Sequence, residues 1–280
     1  MLKQRIITAI VLLGVLALVV AVTSPWPFLL FLALACALAG FEWLRLTLGP
    51  RSVWAPIGAC VLFIVSVWQA NRWIDGQFKP LIILQGTVCL AIFLWIALLL
   101  PALWRAQVKM PAFRLANSFA AVVILLATWG ALSYWYLQRG ALFVVSLLIV
   151  VWVADIAAYF AGRAFGRRKL APSISPGKTL EGAFAGVVGV VAWLAISSQW
   201  PQTFASSLLS QGSWLALLST GVLLAIFSIT GDLYESLLKR RAGVKDSSQL
   251  LPGHGGVYDR IDAVVAVVPL GFFLTEWRTW

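Results

Sequence analysis

The residues most able to do chemistry are concentrated in the stretch 236–262, which combines acidic, basic and glycine-rich segments with the chain's single histidine. The carboxylates of Asp246, Asp259 and Asp262 are the oxygen ligands that a hard divalent cation prefers. The Pro-Gly-His-Gly-Gly turn at 252–256 lets the backbone approach a ligand closely. Basic side chains that suit phosphate groups accompany them: Lys239, Arg240, Arg241, Lys245 and Arg260. This combination, set between apolar segments, predicts an enzyme that handles nucleotide and lipid phosphates.

A polar face precedes this stretch on the same predicted helix. Asp232, Glu235, Ser236 and Lys239 follow the spacing i, i+3, i+4, i+7, so they share one helix face. A polar face on a membrane helix points to the interior of the bundle or to a wet cavity. The alternative is a structural network that joins helices. The face leads directly into the charged stretch, which favours a functional site.

Two carboxylates, those of Asp232 and Asp259, are our first choice for binding a metal ion, and Asp246 is the third candidate. Mg²⁺ usually takes one or two protein carboxylates together with water and substrate phosphates. For Asp246 the alternative is a surface ion pair with a neighbouring basic residue. Asp262 is expected to cap a helix, where a carboxylate is favourable. The sequence leaves a second metal ion open. The predicted catalytic residues are Asp232, Lys239, Asp246 and Asp259.

The other polar residues of this stretch are expected to contact substrate. Lys239 lies on the polar face and suits a phosphate, whereas Arg241 is better explained as a charge that fixes membrane orientation. His254 lies between glycines, and we expect it to contact a phosphate or a base, with a general base as the alternative. The predicted substrate-binding residues here are Ser236, Arg240, Lys245, His254, Gly255, Gly256 and Arg260.

Two blocks of the sequence resemble a family signature. The first reads Ser-x-apolar-Lys-Arg from Ser236, then Lys-Asp after four residues, then His-Gly-Gly-x-x-Asp-Arg-x-Asp, with no departure at the fixed positions. The second runs from Asp155-Ile-Ala-Ala-Tyr-Phe-Ala-Gly-Arg to Ser-Pro-Gly-Lys-Thr-Leu-Glu-Gly at 175–182. Both resemble the phosphatidate cytidylyltransferases, also called CDP-diacylglycerol synthases. The resemblance is strong over 150–275 and elsewhere is limited to the hydrophobic pattern.

The resemblance implies an Mg²⁺-dependent nucleotidyltransferase of phospholipid biosynthesis. Its reaction would transfer a cytidylyl group from CTP to phosphatidate and give CDP-diacylglycerol and pyrophosphate. The resemblance also implies that the second block lines the site, through Ser175, Lys178, Thr179 and Glu181. One alternative is a CTP-dependent polyprenol or phytol kinase, which would transfer the γ-phosphate to an alcohol. An ion-coupled secondary transporter is the alternative of a different class, because intramembrane carboxylates also bind coupling ions.

The second block departs from two familiar patterns. The family more often has lysine at the position of Gly177, so no role is assigned there. Gly-Lys-Thr at 177–179 is not a P-loop, because Pro172 replaces the first glycine and no strand is predicted before it. Ser175 and Pro176 instead resemble the N-cap and first residue of a helix. Asp155 is either a packing partner between helices or part of the site wall.

The composition predicts an all-α polytopic membrane protein. Of the 280 residues, 61% are hydrophobic and 11% are charged, against about 25% charged in a soluble globular protein. Backbone groups inside lipid must bond within their own segment, so the apolar segments are predicted to be helices. Nine are predicted, near 6–23, 28–46, 53–70, 80–102, 115–137, 141–161, 182–200, 213–238 and 261–275. The proposed division is 1–140 for N-terminal helices and 141–280 for a catalytic region, with cytoplasmic loops 162–181 and 239–260.

The distribution of lysine and arginine predicts the orientation. With the N-terminus inside, all but four of the 21 basic residues fall on the inner side, as the positive-inside rule requires. The outer residues would be Arg72, Lys79, Arg139 and Arg278. An odd number of spans places the C-terminus, Trp280, outside. Most acidic residues share the inner side, which predicts a cytoplasmic active site.

The same features indicate the setting of the protein. The first apolar segment is long for a cleaved signal peptide, so we expect an uncleaved helix. The absence of a long N-terminal extension favours a bacterial inner membrane. The net charge of +11 is spread between spans rather than gathered in one patch, so no nucleic-acid partner is expected. The three cysteines lie in apolar segments and are expected to be buried. A homodimer is left open.

Overall fold

The computed structural model of the chain describes residues 2–75, 81–106, 108 and 114–276, and it is almost entirely helical. The helices are α1 (Leu2–Ala21), α2 (Trp26–Leu48), α3 (Trp54–Ile74), α4 (Leu81–Trp104), α5 (Arg114–Arg139), α6 (Ala141–Phe165), α7 (Leu180–Ser197), α8 (Phe204–Gln211), α9 (Trp214–Ala242), α10 (Tyr258–Ile261) and α11 (Val264–Glu276). A two-stranded hairpin of β1 (Lys169–Ala171) and β2 (Ser175–Thr179) joins α6 to α7. The expectation of an all-α polytopic membrane protein is confirmed.

Each of the nine predicted segments coincides with a helix, and seven helices in the described residues are long and apolar enough to cross a membrane. The other two are shorter as apolar elements, since α1 is apolar over Ile10–Ala21 and α11 has 13 residues. Three helices extend four residues beyond their predicted ends, α3 to Ile74, α6 to Phe165 and α9 to Ala242. Four residues used to predict the orientation, Lys79, Lys109, Arg278 and Trp280, lie outside the described residues.

The prediction that a helix begins at Ser175 is wrong. Ser175 pairs with Ala171 in the hairpin, and α7 begins five residues later, after Thr179. The Thr179 hydroxyl accepts a hydrogen bond from the Gly182 amide at 3.1 Å and so caps the helix. Ser175 and Pro176 do mark the start of a new element of secondary structure. That element is a strand, and its pairing with residues 169–171 satisfies the hydrogen-bonding groups of its backbone.

The chain divides into two compact units, and each draws segments from both sides of residue 140. Unit 1 comprises Met1–Ala91, Lys109–Ser133 and Leu238–Ile261, and unit 2 comprises Ile92–Val108, Tyr134–Leu237 and Asp262–Trp280. Within unit 1, glycines allow α2 and α3 to approach closely. A Cβ at Gly40 would overlap the side chain of Leu62, and one at Gly58 would overlap that of Leu44.

Unit 2 is held by close helix packing and by an aromatic core. A Cβ at Gly182 in α7 would lie 2.7 Å from the carbonyl oxygen of Ala158 in α6, so only glycine lets these backbones meet. Trp135 is fully buried and its ring contacts three phenylalanine rings with centroids 5.3 to 6.1 Å away. These phenylalanines are Phe143, Phe204 and Phe272.

An ion pair with a buried carboxylate fixes the last helix of unit 2. The carboxylate of Glu276, 1% exposed, accepts hydrogen bonds from Arg139 at 3.0 Å and from the Trp135 indole at 3.1 Å. The Arg139 side chain is partly exposed, so its charge keeps contact with solvent while it compensates the buried carboxylate. The three residues therefore tie the end of α11 to the end of α5.

We expect Gly182→Ala to destabilise the protein by about 1–3 kcal/mol, because the added methyl group meets a backbone oxygen that cannot turn away. Gly86→Ala is the matched control, since the space around Gly86 is open. Helix propensity alone would favour alanine at both positions. Thermal melting in detergent micelles should therefore fall for Gly182→Ala and stay level or rise for Gly86→Ala. Equal melting temperatures would show that the α6–α7 contact is not tight.

Candidate functional site

Unit 2 contains a cavity of about 450 Å³ between α6, the hairpin, α7 and α9. Most of its wall is small or apolar, which leaves a few polar groups to determine what it binds. Four of the predicted site residues line it, namely Ser175, Lys178, Thr179 and Asp232. Asp155, Tyr159 and Arg163 on α6 line the cavity as well.

The hairpin places Lys178 at the cavity. The Lys178 ammonium forms an ion pair with the carboxylate of Asp232 in α9, and both side chains remain partly exposed. Ser236, one turn further along α9, donates a long hydrogen bond of 3.5 Å to Asp232. Glu181 has a different environment, since it accepts hydrogen bonds from the amides of Arg167 and Arg168 at 3.0 and 3.3 Å. Glu181 thus holds the backbone of residues 167 and 168, which lead into the hairpin.

Three carboxylates gather beside this ion pair. Oxygen atoms of Asp232, Glu235 and Asp262 all lie within 4.8 Å of one another. Gly231 makes this approach feasible, because a Cβ there would overlap the carbonyl oxygen of Asp262. Asp262 lies in the turn between α10 and α11. Oxygen ligands in this arrangement suit a hard divalent cation.

Unit 1 contains the remaining predicted site residues, which lie on the loop 243–257 and on the residues that flank it. Asp259 accepts a hydrogen bond from the Lys239 ammonium at 2.6 Å, and both side chains are largely buried. Its second oxygen accepts from the amides of Ser247 at 2.9 Å and Gly256 at 2.7 Å. Gly255 has a φ of +80°, and a Cβ there would lie 2.7 Å from that oxygen. Asp259 thus fastens both ends of the loop.

A second carboxylate, Glu42 of α2, reaches the same loop. Glu42 is fully buried. It accepts hydrogen bonds from the hydroxyls of Ser247 and Ser248 at 2.8 and 2.6 Å. It also accepts from the amides of Val257 and Tyr258 at 3.0 and 2.7 Å. No site residue was predicted in the N-terminal helices, so this contact was missed.

The remaining predicted residues of the loop face outward or stand apart. Lys245, Asp246, Arg240 and Arg260 are exposed. Lys245 and Asp246 line a second cavity of about 560 Å³ together with Arg45 of α2, Val244, Ser247, Ser248 and Gln249. Within the described residues, the buried Nδ1 atom of His254 has no hydrogen-bond partner. A basic and an acidic residue at an open cavity can accept a charged substrate.

The predicted set therefore separates into two groups. Ser175, Lys178, Thr179, Asp232 and Ser236 belong to unit 2, and the loop residues with Lys239 and Asp259 belong to unit 1. Glu235 and Asp262 were not predicted as partners of Asp232. Their i, i+3 spacings, from Asp232 to Glu235 and from Asp259 to Asp262, were the available signal. No local pattern in the sequence could have linked Glu42 to a loop more than 200 residues away.

Comparison with known proteins identifies the family to which the chain belongs. A model of the cytidylyltransferase family matches residues 3–277. A phosphatidate cytidylyltransferase of Pseudomonas aeruginosa is 37% identical over 279 residues, which cover 96% of this chain and 95% of that protein. Proteins of the same name from Haemophilus influenzae and Brucella suis are 32% and 37% identical, with 96% of this chain covered and 96% and 91% of theirs.

The likeness extends over the N-terminal helices, where the sequence analysis found only a comparable hydrophobic pattern. The resemblance seen in the two motif blocks is confirmed, and the match covers the helix that carries Glu42 and Arg45 as well as the hairpin that carries Lys178 and the helix that carries Asp232. The chain is thus a member of the cytidylyltransferase family, matched along nearly its entire length.

Proposed function

We propose that the protein is a phosphatidate cytidylyltransferase, which transfers a cytidylyl group from CTP to phosphatidate and releases pyrophosphate as CDP-diacylglycerol forms. The observation that carries this proposal is the full-length match to relatives of that name. The apolar helices suit a lipid substrate, whose acyl chains can stay in the bilayer. The ion pair of Lys178 with Asp232, at a cavity in the helical part of unit 2, supplies charge where a phosphate would enter.

Mg²⁺ is the cofactor we propose, and the donor set of unit 2 fits it. Asp232, Glu235 and Asp262 offer three carboxylate oxygens within 4.8 Å, and oxygen is the ligand type that Mg²⁺ takes. Three carboxylates this close repel one another, so a cation there would relieve the repulsion. When bound, the ion would neutralise charge on the triphosphate and on the leaving pyrophosphate. Asp259 and Asp246 remain candidate ligands, with a second ion as an option.

The chain's own side chains would orient the two reacting phosphates. The lipid phosphate is already an anion, so it can attack the α-phosphorus of CTP in line without a strong general base. Lys178 at the cavity of unit 2 would stabilise the negative charge that develops on the departing pyrophosphate. Within unit 1, Lys239 is a candidate contact for a phosphate. Arg240, Lys245, Arg260 and the glycine-rich turn around His254 would contact the nucleotide.

We propose nine membrane spans with the N-terminus and the active site on the cytoplasmic side of a bacterial inner membrane. Within unit 1, the Thr8 hydroxyl near the start of α1 donates to the carbonyl oxygen of Pro252 at 2.8 Å. Glu42 lies in the last two turns of α2 and bonds the same loop. The positive-inside rule independently assigns both helix ends and the loop to one side.

The alternative kinase differs from this proposal in which phosphate it moves. Purified protein in detergent should be given phosphatidate, Mg²⁺ and CTP labelled at either the α- or the γ-phosphorus. We expect the α label in the lipid product and the γ label in pyrophosphate. Transfer of the γ label to a lipid alcohol, with release of CDP, would identify a kinase. Failure to convert either label with any lipid acceptor would overturn the proposed reaction.

We expect Lys178→Ala to lower kcat by about 10²-fold, the loss that removal of one preorganised charge typically causes. Lys169→Ala is the matched control, because Lys169 is an exposed lysine of the same hairpin and should leave kcat unchanged. Asp232→Ala should lower kcat and weaken activation by Mg²⁺. If both site variants instead have lower melting temperatures and unchanged kinetic constants, the ion pair of Lys178 with Asp232 only joins the hairpin to α9.

The orientation can be tested with single cysteines in a chain whose native cysteines have been replaced. Ser210→Cys in α8 and Gln249→Cys in the loop are both exposed positions. We expect a membrane-impermeant reagent to label position 210 in intact spheroplasts and position 249 only after the membrane is opened. Labelling of both from one side would contradict the proposed spans, and a reporter fused after Trp280 tests the outer C-terminus.

A further inference from the structure

Glu42 is placed unusually for a side chain with no assigned role. Its carboxylate is fully buried, and four donors point to it at distances of 2.6 to 3.0 Å. A buried carboxylate is retained only where partners compensate its lost hydration. None of its four donors comes from α2 itself, and all belong to residues 247–258.

The four donors come from the two ends of one loop. Ser247 and Ser248 supply hydroxyls at its first end, and Val257 and Tyr258 supply amides at its second end. The single carboxylate of Glu42 therefore holds the two ends of this loop together. This segment contains His254, Gly255 and Gly256, and Lys245 and Asp246 directly precede it.

Two further contacts limit where the loop can lie. The Trp43 ring, next to Glu42 on α2, stacks on the Tyr258 ring with centroids 4.7 Å apart. A Cβ at Gly256 would overlap both the Ser247 hydroxyl and the Glu42 carboxylate. The glycine is thus needed for the carboxylate to reach the backbone. These contacts place the loop against α2.

The hydroxyl of Ser247 links Glu42 to a predicted site residue. It lies 2.8 Å from a Glu42 oxygen and 2.8 Å from an Asp259 oxygen. Asp259 in turn accepts the hydrogen bond of Lys239. A displacement of Glu42 would therefore be passed to Ser247, then to the Asp259–Lys239 pair and to the loop that follows.

We propose that Glu42 is the positioning residue of the active-site loop: it touches no substrate, and it sets kcat by holding residues 247–258 in the reactive arrangement. The inference rests on the proposed function, because it assigns the loop residues to substrate binding. Its physical reason is that a misplacement of about 1 Å in a catalytic group can lower a rate by about 10²-fold.

Glu42→Gln tests the proposal with little change of shape. An amide offers one oxygen acceptor and one NH₂ donor, so one backbone amide of the loop would face another donor, and one serine hydroxyl would have to turn and accept. We expect kcat per folded molecule to fall by about 10²-fold. Glu276→Gln is the matched control, since Glu276 is an equally buried glutamate held by hydrogen bonds outside the site. It should lower the melting temperature and leave kcat per folded molecule unchanged.

A second measurement does not depend on activity. A nitroxide attached to Gln249→Cys, in a chain lacking the native cysteines, reports the mobility of the loop by electron paramagnetic resonance. We expect the label to become more mobile with Glu42→Gln and to be unaffected by Glu276→Gln. If the wild-type protein makes no CDP-diacylglycerol while the label responds in this way, the proposed reaction fails and the positioning role stands.

If the Glu42→Gln protein does not accumulate, the proposal can be tested with Ser248→Ala. This substitution removes one hydrogen-bond donor and leaves the Glu42 carboxylate in place. It should lower kcat roughly fivefold, the equivalent of one hydrogen bond. The double variant should be no slower than Glu42→Gln alone, since both act through one contact. Unchanged kcat and mobility in both single variants, or strictly additive losses, would overturn the proposal.

Discussion

Carboxylates inside a bundle of apolar helices need partners, and this requirement determines much of the described structure. Three buried carboxylates are met by donors from other parts of the chain. Glu276 is bound by Arg139 and Trp135, Asp259 by Lys239, and Glu42 by four donors of one loop. Because an unpaired charge in a medium of low polarity is so unfavourable, these contacts specify which segments must meet.

The requirement also explains why functional groups lie where they do. Unit 2 brings Asp232, Glu235 and Asp262 together beside Lys178, so repulsion among the acids is available to favour a cation. Unit 1 uses Asp259 and Glu42 to hold a loop that carries exposed side chains. Carboxylates thus cluster in one unit and hold a loop in the other, and their surroundings decide which.

Glycines set the distances on which these contacts depend. Gly231 admits the backbone at Asp262, Gly182 admits α6, and Gly256 admits the carboxylate of Glu42. In each case a methyl group would force apart two segments that carry polar residues. The N-terminal helices, which could be taken for a membrane anchor, therefore contact the loop 243–257 through α2. The match to the family along residues 3–277 agrees with a role for the whole chain.

The sequence by itself determined the class of fold and the family. Long apolar segments can only be helices in lipid, and the motif around His254 has spacings that chance rarely produces. Local spacing also identified the polar face of α9. It could not identify Glu42, or the pairing of Lys178 with Asp232, because residues so far apart in sequence meet only after the helices pack. The helix start expected at Ser175 failed for the same reason, since a strand partner outweighed a local capping signal. Tertiary structure decided which acid faces which donor, because that choice depends on burial and distance.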